Sequence, residues 1–476
     1  MPKKALNPEI TRRTIETIAE KVAKIVSPTP REAGEEKEFA SKLSSLIAKE
    51  LKNEAEIRFV GSAARDTGLA DDMDIDLFVT FPSSFSRENI IRRTLAATKK
   101  VIKAKWLMKY AEHPYLQTKI GKFQVEVIPC FRIAPHEPIK SAVDRSPLHM
   151  DYLQKKLSEK QKRDVRVLKK LLKNAGLYGA EVEVQGFSGL VCEQLVLNYR
   201  SLAGLVENAK DWRAPVVVDI EAAYPNKKDA IEKFPESAIV LIDAIDRNRN
   251  AAAAISATNA SKFVCLCRAF WQTPSNPNFF FRKLASPNWT KLGAAIGKRS
   301  HSILGLELNK PDEVEDILVP QLRKTTQSIA RHLQLLDFRV LDSTSFSSAE
   351  KSYMVFELES DSIPEIKKIQ GPPVSDAVAC ERFLSVHSPS DWLRGPYVEG
   401  ERILVEKQRK TTDANEALKQ VLGNPVKAGA APHLVATIKK AKILDGQQLI
   451  ASKSLDSPAL QALEYFINRK DWWLAK

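Results

Sequence analysis

Cysteine is scarce in this sequence, with five residues in 476. An odd and low count for the length implies no disulfide framework. Cys265 and Cys267 form a C-x-C pair on an expected helix, without a second cysteine pair or a nearby histidine, which is not the spacing of a zinc site. Buried thiols in a reducing cytosol are the expected reading. Long hydrophobic runs are missing too. Stretches such as Ile75–Phe81 fall far short of the ~20 residues a membrane-spanning helix needs. The N-terminus is basic but has no apolar segment behind it, so no secretory signal is expected. There is no internal repeat and no low-complexity tract. Negative charge is in deficit: 59 Asp+Glu stand against 73 Lys+Arg, a net charge of +14. That surplus favours a polyanionic partner over an acidic protein surface.

What is present is an ordinary globular composition, 43% hydrophobic and 28% charged, which excludes a mainly disordered chain. At roughly 100–200 residues per domain, the length predicts about two to four domains, each with its own core. Residues Asn7–Val26 read as an amphipathic helix with Ile10, Ile15, Ile18 and Val22 near one face. Ser27–Arg31 breaks it, and a second helix is expected over about Glu36–Leu51. Ile57–Val60 and Met73–Phe81 read as strands, a helix covers about Arg87–Ala104, and Phe123–Ile128 is a further strand. This alternation predicts a small α/β domain ending near residue 150. Residues 151–285 read as mostly helical, closed by the Pro-rich segment Gln272–Pro287. A strand over Ser302–Leu308, a helix over Val314–Leu336 and strands at Phe338–Leu341 and Ser352–Leu358 suggest a split-βαβ body over 286–375, with a further helix near Pro364–Ile369. Gly371-Pro-Pro373 is a second candidate boundary, leaving residues 376–476 as a mixed C-terminal tail.

The chemistry is concentrated early. Asp74 and Asp76 lie two apart in an apolar strand, so both carboxylates share one face while Ile75 and Leu77 share the other. Neighbouring carboxylates in an apolar setting repel each other and are costly to desolvate, and a divalent cation would compensate. Glu126, between Val125 and Val127, offers a third carboxylate from another strand. Three such groups suit one or two Mg²⁺ ions, which take oxygen ligands. A solvated strand face is the competing reading of the pair alone. Gly61-Ser62 follows a strand and opens a short helix, a position where backbone N–H groups can meet an anion.

Gly61-Ser62, eleven residues, Asp74-x-Asp76 and then a later apolar-flanked carboxylate form an order that resembles the nucleotidyltransferase superfamily that includes DNA polymerase β. The resemblance implies a five-stranded palm-like domain and metal-assisted transfer of a nucleoside monophosphate with loss of pyrophosphate. The third carboxylate of that superfamily is more usually Asp; here it is the longer Glu126. Longer strings narrow the family. Phe59–Thr67, Tyr110–Tyr115, Val127–Phe131, Lys140–His149, Gly176–Glu181, Gln185–Glu193 and Asp243–Ala252 occur in order. Together they are similar to the archaeal-type, class I, CCA-adding enzymes, which are tRNA nucleotidyltransferases. The resemblance runs from about residue 1 to 285 and more loosely to the end.

The resemblance implies an α+β multidomain fold: a polymerase β-like head over 1–150, a helical neck over 151–285, a body over 286–375 and a tail over 376–476. The implied activity is template-independent addition of C, C and A to tRNA 3′ ends from CTP and ATP. Asp74, Asp76 and Glu126 would be catalytic and hold two Mg²⁺ ions. Gly61, Ser62, Arg65, His149, Lys169 and Tyr178 would bind the triphosphate, with His113 lining the same pocket. Arg249 would read the incoming base together with tRNA phosphates. An arginine suits that task, since its donors meet acceptors on cytosine and adenine, whereas uracil and guanine present N–H at the corresponding ring position. The partners implied are the tRNA acceptor stem and elbow, with no membrane, a homodimer in some family members and a cytoplasmic location.

Each of these residues has a plainer alternative. Lys169 shares the inner stripe of Val165, Leu168 and Leu172, where a lysine can simply snorkel. His149 and Tyr178, taken alone, are more often packed or surface residues. Arg249 can belong to a helix-capping loop. Lys155–Lys173 carries nine basic and two acidic side chains, suited to acceptor-stem phosphates or simply to water. Lys407, Arg409, Lys410, Lys439 and Lys440 would, by the resemblance, touch the tRNA elbow. Two other functions compete: another polymerase β-like nucleotidyltransferase, such as a poly(A) polymerase or an antibiotic nucleotidyltransferase, and a non-catalytic RNA-binding protein on the same fold.

Overall fold

The structure is a computed structural model that describes residues 7–110, 114–134, 137–283, 288–297, 302–387 and 392–474. The chain forms two compact units, one of Met1–Leu284 with Trp472–Lys476 and one of Ala285–Asp471. No helix among the described residues is long and apolar enough to cross a membrane.

In the first unit, α1 (Pro8–Val26) starts on Asn7, whose side chain accepts from the Glu9 amide. Its buried stripe is Ile15, Ala19, Val22, Ala23 and Val26; Ile10, expected on that face, is exposed. The stripe joins the core of the helical region rather than the sheet. The second helix, α2 (Pro30–Glu50), begins earlier than expected. Thr29 and Glu32 form a capping box, and Pro30 occupies the first turn, where its missing N–H costs nothing.

A five-stranded sheet follows. Its strands are β1 (Glu56–Val60), β2 (Asp74–Phe81), β3 (Leu107–Tyr110), β4 (Pro114–Ile120) and β5 (Phe123–Phe131), in the order β1-β2-β5-β4-β3. Only β2 and β5 run parallel, and α4 (Arg87–Val101) lies between them in sequence. The β3–β4 hairpin was not expected from the sequence. Period two sorts the sheet into two faces. Ile75, Leu77, Val79, Phe81, Val125 and Val127 pack with α2 and α4, while Asp74, Asp76 and Glu126 occupy the opposite face. Beyond the carboxylates that second face closes over a small core of Val60, Phe78, Ile128, Cys130 and Met150.

A four-residue helix, α3 (Gly61–Ala64), leaves β1, and α5 (Arg145–Lys156), α6 (Glu159–Ala175) and α7 (Gly189–Tyr199) build the helical region. α6 starts at a Ser158–Gln161 capping box and ends at Gly176 in the left-handed region. Its side chains and those of α7 bury around Phe187, Phe263 and Phe270. This region is less uniformly helical than expected. The β-branched runs of β6 (Val216–Asp219) and β7 (Ile239–Ile242) pair in parallel. Trp472 and Trp473 return to the same core, the Trp472 ring tilted 53° against Phe279 with centroids 5.3 Å apart.

In the second unit, β8 (Ser302–Asn309), the helix Glu315–Leu335, β9 (Val340–Ser347) and β10 (Lys351–Leu358) make a split βαβ unit. β10 lies antiparallel between β8 and β9. The helix expected near Pro364–Ile369 is instead β11 (Ile366–Pro373), which pairs with β13 (Arg402–Gln408), itself flanked by β12 (Trp392–Glu399). Ile366 and Ile369 have helical spacing, but Ile366 is exposed and no buried helical face forms. Gly371–Pro373 therefore lies inside a strand. β14 (Lys442–Asp445) adds to the edge of β8. Both sheets thus contain strands from either side of residue 375, so a division there follows no boundary of the sheets.

Candidate active site

β1 ends at Val60, which pairs with Asp76, and Gly61 then turns the chain with φ +85°. A Cβ on Gly61 would collide with Asp76 Oδ2. Glycine is therefore required twice, by the positive φ and by the approach of the carboxylate. Asp76 lies opposite Glu126 in the parallel β2–β5 register, and Asp74 is one pleat further along the same face. Burial pushes the Asp76 carboxyl up to about 7, with the charges of Glu126 and Asp74 adding to it and Arg65 opposing. Burial also raises Asp74, reinforced by Asp72 and opposed by Lys173. Glu126 is raised by burial while a 2.6 Å hydrogen bond from Gln117 Nε2 resists the shift.

These are carboxylates short of positive charge. Their all-oxygen, mutually repelling donor set fits a hard divalent cation such as Mg²⁺. Among the described residues no three such side chains are drawn together around one point. Glu126 is turned onto Gln117 and Asp76 toward Gly61.

Beside them is a cavity of about 230 Å³, whose lining includes Gly61, Arg65, Asp76, Glu126, Ser146 and His149. Arg65 is anchored from behind, its Nε donating 2.9 Å to Oε1 of the fully buried Glu193 on α7. Thr67 Oγ1 donates to the same oxygen. Lys169, 1% exposed, donates 2.8 Å to the Thr67 carbonyl. Burial raises Glu193, but Arg65 and Lys169 outweigh it and hold the carboxyl below its ordinary value. Lys169 in turn is lowered by burial, with Glu193 opposing. Tyr178 Oη and Lys169 Nζ come together at Gly189, whose built Cβ would lie 3.3 and 3.4 Å from them.

His149 and Arg249 meet on a different carboxylate. His149 Nε2 donates 2.7 Å to Asp243 Oδ1, and Arg249 Nη1 donates to Asp243 Oδ2. Burial works against the ionised Asp243. The His149 hydrogen bond and charge, the Ile245 amide and Arg249 nevertheless bring it to about 2. Arg249 also lines a second cavity of about 740 Å³ with Arg145, Ala180, Ser188 and Asn248.

Gly61, Arg65, Asp76, Glu126 and His149 therefore share one cavity, Lys169 and Tyr178 meet behind it, and Arg249 faces another. Ser62 and Asp74 line neither of these cavities. His113 lies outside the described residues. Glu193, Asp243, Thr67 and Gln117 carry the site's hydrogen bonds but were not singled out from sequence. Their signal is faint: Val191-Cys192-Glu193 and Leu241-Ile242-Asp243 each place a carboxylate directly after apolar residues, where it needs partners.

The Lys155–Lys173 stretch is more internally engaged than a solvated face would be. Lys160 pairs with Glu16, Lys162 with Glu159, and Lys173 with Asp72, while Arg166 donates to the Asp66 carbonyl. Lys155 and Arg163 are exposed.

Three family models match the chain. They are a nucleotidyltransferase domain over residues 41–149, the second domain of tRNA nucleotidyltransferase over 163–281, and the C-terminal domain of CCA-adding enzyme over 299–446. The CCA-adding enzyme of Methanoregula boonei is 34% identical over 399 residues, 83% of this chain and 85% of its own. That of Halobacterium salinarum is 35% identical over 411 residues, 85% of this chain and 89% of its own. That of Pyrobaculum islandicum is 34% identical over 418 residues, 86% and 94% of the two chains. On the strength of these matches, the chain belongs to the CCA-adding enzyme family of tRNA nucleotidyltransferases.

Proposed function

We propose that this chain adds C, C and A in turn to the 3′ end of tRNA, taking CTP and ATP as substrates and releasing pyrophosphate. The observation that carries this reading is the placement of Asp76 opposite Glu126 against Gly61, in a cavity shared with Arg65 and His149. Asp74, Asp76 and Glu126 would hold Mg²⁺, two ions by analogy with the superfamily. When bound, the metal supplies charge neutralisation at the phosphates and lowers the pKa of the attacking hydroxyl.

The remaining work belongs to the protein's own groups. Gly61 lets backbone approach the phosphates, and Ser62 adds a hydroxyl donor. Arg65, His149, Lys169 and Tyr178 bind and orient the triphosphate, so that positioning and charge neutralisation supply the catalysis. Arg249 selects bases with acceptors at the ring position it meets. The tRNA acceptor stem would lie near exposed cations such as Lys155 and Arg163, and its elbow would contact exposed residues such as Lys410, Lys439 and Lys440. Recognition of duplex phosphates and 2′-hydroxyls would let one surface serve every tRNA. A cytoplasmic location and a homodimer complete the reading.

The test is incorporation of labelled CTP into tRNA lacking its terminal CCA. Two cytidines and then one adenosine are expected, with ATP used only after both cytidines. Long A-tails on arbitrary RNA, or UTP and GTP incorporated at the rate of CTP, would overturn it.

A further inference from the structure

The fully buried side chain of Asp243 stands between the two cavities and lines neither of them. One oxygen accepts from His149, which lines the smaller cavity with Asp76; the other accepts from Arg249, which lines the larger. His149 arrives from α5, 94 residues away in sequence. Arg249 is locked to Asp243 by the backbone, since the Asp243 amide donates 3.1 Å to the Arg249 carbonyl at the close of the loop that follows β7. The carboxylate therefore has both oxygens committed, and neither partner can move without disturbing the other. The bond also fixes the imidazole: Nε2 carries the proton given to Asp243, which leaves Nδ1 for a ligand.

We infer that Asp243 is a positioning residue that joins the phosphate-binding side of the site to the base-reading side, so that Arg249 selects the base only while His149 and Asp243 hold it. This deepens the proposed function and rests on the base-reading role given there to Arg249. An acid that accepts from two side chains on different elements fixes their relative placement. Replacing it by the amide keeps one acceptor and turns the other position into a donor facing a guanidinium.

A second tie joins the same two elements: Arg145, one helical turn before His149, donates 2.9 Å to Asp246. Arg145 lines the larger cavity with Arg249, but its tie runs to Asp246 and not to Asp243, which makes that tie the control for a purely structural staple. The experiment measures kcat and KM for CTP, ATP, UTP and GTP on tRNA lacking CCA, using the full chain. Asp243→Asn should raise UTP use relative to CTP by about tenfold, chiefly through the KM for CTP, because a hydrogen-bonding selection site loses discrimination when its donor is misplaced. Arg249→Ala should blur selection to the same degree, and the double variant should add nothing further, as expected for residues acting as one unit. Asp246→Asn should leave the CTP:UTP ratio within about twofold of wild type, since the amide keeps Oδ1 for the Asn248 N–H and gives up only the Arg145 tie at Oδ2. Asp243→Glu keeps the charge and should recover part of the selection, which provides a readout even if the amide variant folds poorly.

Equal loss of rate for all four nucleotides in Asp243→Asn, with selection intact while Arg249→Ala blurs it, would overturn the inference. So would equal blurring by Asp246→Asn. If Arg249→Ala itself leaves selection unchanged, the base-reading role fails first and this inference goes with it.

Discussion

The first unit holds two sets of carboxylates, one exposed or half-buried and the other fully buried. Asp74, Asp76 and Glu126 share one sheet face, and all three are shifted upward by burial, Asp76 and Glu126 further by one another's charge or that of Asp74. Glu193 and Asp243 are at least as deeply buried, yet both lie below the ordinary range. The difference is the company each keeps. Glu193 has Arg65 and Lys169, and Asp243 has His149 and Arg249. Depth alone would raise Glu193 and Asp243 the more; the supply of positive charge reverses that order. A buried acid that already has its cations organises the protein, whereas a cluster left short of them suits the cation that the proposed function assigns to it.

The sharpest way to break this contrast is to neutralise one member of the unsatisfied set. Asp76→Asn removes an oxygen proposed to bind metal and should lower CTP incorporation by about a thousandfold or more, the scale on which a misplaced charge-stabilising group acts in phosphoryl transfer. The same change should raise the melting temperature at pH 8 with Mg²⁺ chelated, because a neutral amide replaces an acid that resists ionisation there. Added Mg²⁺ should stabilise the wild type more than the variant. An active variant, or one that melts lower than wild type in chelator, would show that the cluster is not short of charge.

The compensated set should respond in the opposite sense. Glu193→Gln leaves Arg65 and Lys169 buried without their counter-charge, and breaking a buried pair in this way costs about 3 kcal/mol. Urea unfolding measures it directly. A loss below about 1 kcal/mol would place this pair with exposed ion pairs, which contribute little.

The first set was far more legible in the sequence than the second. Asp74 and Asp76 are two residues apart, and strand period two needs no tertiary information to place them on one face. Gly61 announced a turn, although the contact that forbids any side chain there comes from Asp76 across the β1–β2 register. Glu193 meets Arg65 across 128 residues and Asp243 meets His149 across 94, and no local pattern reports either meeting. Lys169 shows the limit well. Its stripe position allowed a snorkelling side chain, but the structure holds its amine inside on the Thr67 carbonyl. β11 was misread for a related reason, since two isoleucines at helical spacing fit either element and the deciding strand, β13, comes later in the chain.

Acid provides the finest test of the comparison. Asp243 titrates at about 2 in the folded protein, against an ordinary value of 3.8. A lowered acid contributes stability that is complete above the unfolded value and is lost as pH falls through the folded one. The interval corresponds to about 2 kcal/mol, present at pH 5 and withdrawn between roughly pH 4 and 2. Over that range the unfolding free energy of wild type should fall about 2 kcal/mol further than that of Asp243→Asn, whose amide does not titrate. Asp76 changes sign in the same comparison: as a raised acid, its contribution is present at low pH and fades as pH climbs toward 7. Parallel acid profiles for wild type and Asp243→Asn would mean that His149 and Arg249 do not hold the ionised form, and the two sets of carboxylates would then differ in depth but not in kind.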